Sequence, residues 1–295
     1  MDPTLRPRVV ERLRQEIPAL PRGLGRAAKY LLDHPSDFGL DPIRETARKA
    51  GVSPYTLVRL AERLGFDGFE ALRAPFRQAL VSTAATLEPP GWIDSLRAQG
   101  ETGRVQAEAA LNGIAIVQRS LEGLDAARVD RVVDLLMAAP NVYLTAARSS
   151  YALAYYLHYV GRMALPSLQL IPRHVNSPVD ELAAAQPGEA LIAITFTPYS
   201  RETIEACRIA RRRGLRLVMI ADSEIVSPEF EADETLVASV LTTHHLGCYA
   251  GAMALIETLI AQLVARGGAA SRDRIAAYEA LRHESQAYWV APKKR

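Results

Sequence analysis

The sequence predicts two domains of different class: an all-α domain of short helices, followed by an α/β domain of three layers around a five-stranded parallel sheet. Three observations predict it. The chain has 295 residues, which at ~150 residues per domain means about two. Residues 1–80 place apolar side chains at helical spacing, with no strand-like alternation. From residue 141 short apolar runs alternate with helical patterns, as parallel strands covered on both faces do. With 49% hydrophobic and 23% charged residues, there is material for two cores, and disordered, collagenous and disulfide-stapled classes are excluded. The expected boundaries are 1–80 for the helical domain, 81–119 for a linker and connecting helix, 120–268 for the sheet domain, and 269–295 for a C-terminal helix and basic tail.

In the first domain, Leu24, Ala27, Ala28, Leu31 and Leu32 repeat at helical spacing and stop at His34-Pro35. Asp41-Pro42-Ile43 restarts the pattern as a cap residue followed by a proline at the first helical position. That helix ends at Ala50-Gly51. Ser53-Pro54 repeats the cap-then-proline signal, and Leu57, Leu60, Ala61 and Leu64 form the next apolar face before Gly65. A further helix follows Asp67-Gly68, with Phe69, Leu72, Phe76 and Leu80 inward. Residues 82–104, with Pro89-Pro90-Gly91, read as a linker holding a short helix near Trp92. Helices follow at roughly 105–120 and 125–138.

The strands are Val142–Leu144, Leu168–Ile171, Leu191–Ile194, Leu215–Ile220 and Thr235–Val237. Between them lie helical patterns near 150–164, 177–185, 200–213 and 248–265, and another around Arg272–His283 after Gly267-Gly268. Five such strands in three layers predict the flavodoxin-like order 2-1-3-4-5.

The formal net charge of +2 divides unevenly. Residues 1–80 hold 14 Lys and Arg against 10 Asp and Glu, and the remainder holds 21 against 23. The sign is that of a DNA-reading N-terminus on a neutral body. Cys207 and Cys248 are far apart and lack metal-type spacing, so neither a disulfide framework nor a zinc site is expected. No cofactor is expected either. The N-terminus lacks a signal-type apolar region and no stretch approaches ~18 uncharged apolar residues. The expectation is a soluble cytoplasmic protein that does not engage a membrane.

Two helices joined by Gly51-Val52-Ser53 have the geometry of a helix-turn-helix, whose second helix lies in the major groove. On that helix Ser53, Tyr55, Thr56 and Arg59 stand off the apolar stripe. Arg59 suits a bidentate pair to guanine, and Ser53, Tyr55 and Arg63 suit phosphate contacts. A small helical bundle with a solvated polar face, or one that contacts protein, is the competing reading.

In the sheet domain a ligand is expected beyond the strand carboxyl ends, between the first and third strands. The loops arriving there are Thr145–Ser150 and Thr195–Thr203, each rich in hydroxyls, carrying an arginine and opening a helix. Hydroxyls and free N–H groups at a helix N-terminus cradle an anion, although a serine there also serves as an ordinary N-cap.

The string Ala50-Gly51-Val52-Ser53-Pro54-Tyr55-Thr56-Leu57-Val58-Arg59, continuing through Leu64-Gly65-Phe66-Asp67-Gly68-Phe69, resembles the N-terminal domain of RpiR-type (MurR/RpiR) transcriptional regulators. Residues ~120–265 resemble the sugar isomerase (SIS) domain that follows it in the same regulators. The resemblance implies a ligand-responsive regulator that binds double-stranded operator DNA as a homodimer or dimer of dimers. It further implies a small anionic effector, a phosphosugar or related metabolite. By position Ser149 or Ser150 would hold it from the first loop, and Thr195, Thr197, Ser200 and Thr203 from the second. Beside the resemblance, the loops themselves offer Arg148 or Arg201 to pair with an anion, Tyr199 joins them in the second loop, and His244 and His245 read as a rim contact or an exposed loop. Two departures stand out: Ala146-Ala147 occupies positions where glycine is usual, and Pro198, which has no N–H, replaces another.

The alternative is a sugar-phosphate isomerase-like enzyme with an accessory helical domain. Its general base would be Glu202, His244 or His245. Among other residues, His174 reads as a loop residue, Asp222-Ser223 as a turn or cap, Arg211–Arg213 as a solvated helix end, and both cysteines as buried.

Overall fold

A computed structural model describes residues 5–85, 90–174, 176–227, 229–240 and 247–289. They form two compact units. Of the described residues, the first unit holds those up to Gln118 together with residues 240 and 247–248, and the second holds Arg119–Ser239 and residues 249–289.

The first unit is helical: α1 (Leu5–Glu16), α2 (Arg22–Asp33), α3 (Pro35–Leu40), α4 (Ile43–Ala50), α5 (Pro54–Arg63), α6 (Phe69–Ala85), α7 (Gly91–Arg97) and α8 (Gly100–Glu122), which continues into the second unit. The apolar positions read from the sequence meet in one core, where Leu31, Ala47, Leu57, Leu60, Ala61 and Leu72 are fully or almost fully buried. Phe38 on α3 lies edge-on to Phe69 and Phe76, with centroids 5.4 and 5.1 Å apart, a geometry that suits the ring quadrupoles.

Local punctuation differs from expectation at three places. Pro35 opens α3 directly after α2, since proline's fixed φ suits a first helical position. Pro42 is itself the N-cap residue of α4, and Asp41 is drawn instead to Lys49, 2.8 Å away. The stretch read as a linker holds the end of α6, the short α7 near Trp92 and the start of α8.

The second unit contains α9 (Ala126–Ala138), β1 (Val142–Ala146), α10 (Tyr151–Gly161), β2 (Leu168–Ile171), α11 (Pro178–Leu182), β3 (Ala190–Ile194), α12 (Arg201–Arg212), β4 (Arg216–Ala221), β5 (Glu234–Val237) and α13 (Ala250–Glu284). The sheet order is β2-β1-β3-β4-β5, as expected. Every pair is parallel, with Val142 opposite Leu168 and Ala190, Ala190 opposite Arg216, and Val218 opposite Glu234. Leu191, Ala193, Leu217 and Met219 pack against Leu182, Ala206, Cys207 and Ala210 of α11 and α12. Helices α9, α10 and α13 make the other layer.

The glycine pair at 267–268 bends α13 rather than ending it. Helix continues on both sides of Gly268 (φ 57, ψ −133). By length and composition α13 is apolar enough to cross a membrane. Its Leu255, Ile256, Leu259 and Leu263 are buried, and it packs on α9 and α10, which accounts for the apolar face without lipid. Cys207 is buried as expected, whereas Cys248 is only half-buried: it lies two residues before α13 begins, outside the helix face that enters the core.

Candidate functional site

In the helical unit, the turn between α4 and α5 is held by backbone geometry. Gly51 is left-handed (φ 62), which lets its N–H reach Arg48 O at 3.2 Å and the next N–H, from Val52, reach Ala47 O at 3.0 Å. Ser53 caps α5. Its hydroxyl accepts the Thr56 N–H at 3.2 Å and lies 2.9 Å from the Thr56 hydroxyl. These two predicted contact residues therefore also shape the start of the helix they stand on.

Burying Leu57, Leu60 and Ala61 leaves Tyr55 69% exposed, with Arg59 and Arg63 also exposed. Arg59 makes no ion pair among the described residues. Arg63 donates to Glu16 at 3.1 Å. Arg12 donates to the same carboxylate at 2.8 Å and to the Arg63 and Leu64 carbonyls at 3.0 and 3.2 Å, closing the C-terminus of α5. These guanidiniums, Arg12 foremost, hold the Glu16 carboxyl below the ordinary carboxylate range. Nothing in the sequence pattern signalled this bracket, because Arg12 and Arg63 are brought together only by packing.

In the sheet unit, an open cleft of about 440 Å³ lies where the strands end. Ala147 and Arg148 line it from the loop after β1, Ser177 and Val179 from the start of α11, and Ser200, Arg201, Glu202 and Glu205 from the start of α12. A second cleft of about 450 Å³ has Arg131, Asp134, Arg216, Asp233 and Glu234 around it. Its charges are already matched: Arg131 pairs with Glu234, Arg216 with Asp233 at 3.3 Å, and Asp134 with Arg266 at 2.5 Å. It also flanks the amino ends of β3 and β4, where ligands of open parallel sheets do not bind.

Arg148 is exposed and holds a left-handed backbone (φ 56). The conformation that a glycine would supply thus falls on Arg148, not on Ala146 or Ala147, at a cost of about 1–2 kcal/mol. Neither Arg148 nor Arg201 makes an ion pair among the described residues. Ser149 lies outside the cleft lining, its hydroxyl 2.9 Å from the Tyr249 hydroxyl. Ser150 is buried at the start of α10 and its side chain caps nothing.

The second loop is latched in two places. The buried Thr195 hydroxyl accepts the Ser200 N–H at 3.3 Å. The Asp222 carboxylate, just past β4, accepts the Thr197 N–H at 3.2 and 3.3 Å. With Pro198 having none, two of the loop's N–H groups are spent internally, and the first-turn N–H groups of α12 remain for a ligand. Ser200 occupies the N-cap position but its side chain makes no capping bond, so ordinary capping does not explain it. The Thr197 and Thr203 hydroxyls have no hydrogen-bond partner among the described residues, and Thr203 is fully buried on α12. Tyr199 packs against the layer between the sheet and α12.

His244 and His245 lie outside the described residues. His174 is exposed, and no cluster of three metal-type ligands occurs among the described residues. Ser223 closes its own turn with Ile225. Ser177, Val179, Glu205, Asp222 and Tyr249 were not read as site residues. Asp222 was the most visible of them, a carboxylate at a strand's carboxyl end, while Ser177 is recognisable from sequence only as a cap.

Residues 8–83 match the helix-turn-helix domain of the rpiR family, and residues 135–271 match the SIS domain. Between them these take in more than two thirds of the chain. The chain belongs to the RpiR-type regulators. This RpiR-type chain is 25% identical over 217 residues to Bifunctional protein glk of Paraburkholderia xenovorans, covering 73% of the chain and 33% of that protein. It thus spans about a third of that relative's length. It is 24% identical over 221 residues to the HTH-type transcriptional regulator HexR of Pseudomonas aeruginosa, covering 70% of each. Among solved structures it is similar to the Vibrio vulnificus NanR protein complexed with ManNAc-6P. The TM-score is 0.58 at 19% identity, with 95% of this chain and 100% of the other covered; at that identity the likeness shows a shared fold.

Proposed function

We propose that this RpiR-type chain is a cytoplasmic transcriptional regulator that binds operator DNA through α5 and senses a small anionic metabolite in the cleft between the loops after β1 and β3. The observation that carries the reading is the pair of unmatched guanidiniums, Arg148 and Arg201, facing one cleft beside the N-terminus of α12. Tyr55 and Arg59, exposed on a helix whose opposite face is buried, supply the DNA half. The NanR complex with ManNAc-6P supports a phosphosugar as the class of effector. Two copies would set two reading helices about 34–36 Å apart, or a multiple of that, to match a symmetric operator. Effector binding acts on DNA only if the effector prefers one arrangement of the two heads.

Thermal-shift screening of phosphorylated sugars and sugar acids tests the sensor, because a ligand stabilises by mass action. Arg148→Gly keeps the left-handed backbone and removes the guanidinium. A hit whose shift survives both Arg148→Gly and Arg201→Ala refutes the assigned cleft. Unchanged DNA affinity in the presence of a confirmed ligand refutes the coupling.

The enzymatic reading needs a base beside the substrate carbon. Of the carboxylates lining the cleft, Glu205 is ion-paired with Arg208 at 2.8 Å and Arg212 at 3.6 Å, and Glu202 sits in the first turn of α12, where a carboxylate serves the helix dipole. Turnover of a sugar phosphate that is abolished by Glu202→Gln would establish the enzyme instead.

A further inference from the structure

The exposed side of α5 has a neighbour. A methyl group placed on Gly23 would lie 3.8 Å from Thr56 Cγ2, so the first turn of α2 passes within van der Waals contact of the first turn of α5. Helix α2 turns Leu24, Ala27, Ala28 and Leu31 into the core. Arg22 and Arg26, one helical turn apart, therefore stand on its outer side, and Arg26, three residues after Gly23, adjoins that contact on the helix surface. Both are exposed, and neither side chain makes a hydrogen bond or ion pair among the described residues. Several other cations of this unit are matched, Arg48 by Glu45, Lys49 by Asp37 and Asp41, Arg63 by Glu16 and Arg73 by Glu70; Arg44, Arg59 and Arg77 are exposed without an ion pair among the described residues, and of these Arg59 stands on α5 itself.

We infer that Arg22 and Arg26 make a second, sequence-independent contact with duplex DNA, donating to backbone phosphates beside the groove that α5 enters. The inference rests on the reading of α5 as the groove helix. Arginine suits the task because its planar fork matches phosphate oxygens and its charge is permanent. Two free guanidiniums held one turn apart on a packed helix displace condensed counterions without first giving up a carboxylate partner. Arg63 would have to leave Glu16 to do the same.

The test uses the full chain and a fluorescently labelled duplex of ~30 base pairs of arbitrary sequence, since phosphate contacts do not read bases. Binding is followed by anisotropy between ~50 and ~200 mM KCl. Each phosphate contact adds about 0.9 to the steepness of log K against log salt, or about 3.5-fold in affinity over that range. Arg22→Ala with Arg26→Ala should make the slope shallower by about 1–2 for each reading head, while Arg22→Lys with Arg26→Lys should keep it. Arg213→Ala, at an exposed cation of the sheet unit, should change nothing. Alanine is at least as good a helix former as arginine, so thermal melts of the variants should match the parent.

A slope equal to the parent's in the double alanine variant, with binding to the same duplex weakened by Tyr55→Ala on α5, overturns this inference and leaves the groove helix standing. Loss of salt-dependent binding in the parent chain itself would remove both.

Discussion

Two threonines, one just after β3 and one on α12, should respond in opposite senses to the same substitution. Thr195 and Thr203 are both buried, at 2% and 1% exposure, yet the Thr195 hydroxyl accepts the Ser200 N–H and the Thr203 hydroxyl has no partner among the described residues. Thr195→Val keeps the shape, loses that bond and strands a partly buried N–H, a cost of about 2 kcal/mol. In a unit of this size that lowers the melting midpoint by roughly 4–8 °C. Thr203→Val breaks no bond, removes a buried hydroxyl that burial penalises, and leaves helix propensity nearly unchanged. It should be neutral or stabilising by up to about 1 kcal/mol. Scanning calorimetry of the full chain reads the difference. Hydrogen exchange adds the location: protection of the Ser200 amide should fall in the first variant and persist in the second. Equal destabilisation by the two substitutions would refute the reasoning, because it would mean that Thr203 makes a bond as strong as Thr195 does.

Two further outcomes follow from charge and burial. Burial pushes the Cys207 thiol up to about 12, so in the native chain it should resist a thiol reagent such as dithionitrobenzoate near pH 8, react only on unfolding, and leave the half-buried Cys248 to react first. Glu16 is depressed by Arg12 and Arg63, so its contribution is present above its unfolded value of about 4.3 and is lost as pH falls below that. Urea midpoints measured between pH ~5 and ~3 should show a loss in the parent that is smaller in Glu16→Gln.

The order of the sheet was legible because each strand is a short apolar run bounded by punctuation, and five such runs with intervening helices leave few topologies. The helix-turn-helix was legible for a similar reason: Gly51 and the Ser53-Pro54 pair are local signals whose meaning does not depend on the rest of the chain. What escaped was set by packing at a distance. The relay from Arg12 through Glu16 to Arg63 joins residues 47 to 51 positions apart, and neither end carries a periodic or turn signal. Asp41 pairs with Lys49, eight residues on, at 2.8 Å, and Pro42 takes the N-cap position of α4. Cys248 is half-buried because it precedes the first residue of α13 instead of opening the helix.

The candidate cleft shows the same division at finer grain. Sequence located two hydroxyl-rich loops at the carboxyl ends of β1 and β3, but a hydroxyl's type does not say which way it points or what it spends itself on. Thr195 is spent on Ser200 and Ser149 on Tyr249, while the Thr197 N–H is taken by Asp222. The parts left facing the cleft are mostly charged: Arg148, Arg201 and Glu202, with Ser200 between them. An anion-binding loop rich in glycine works by presenting backbone N–H groups at close range. Here Pro198 removes one such donor and the latches consume two more, so if the cleft takes an anion, recognition falls to guanidinium more than to backbone. An arginine in the left-handed position after β1, where a glycine would be free of strain, is then a conformational cost set against a charged side chain placed at the cleft.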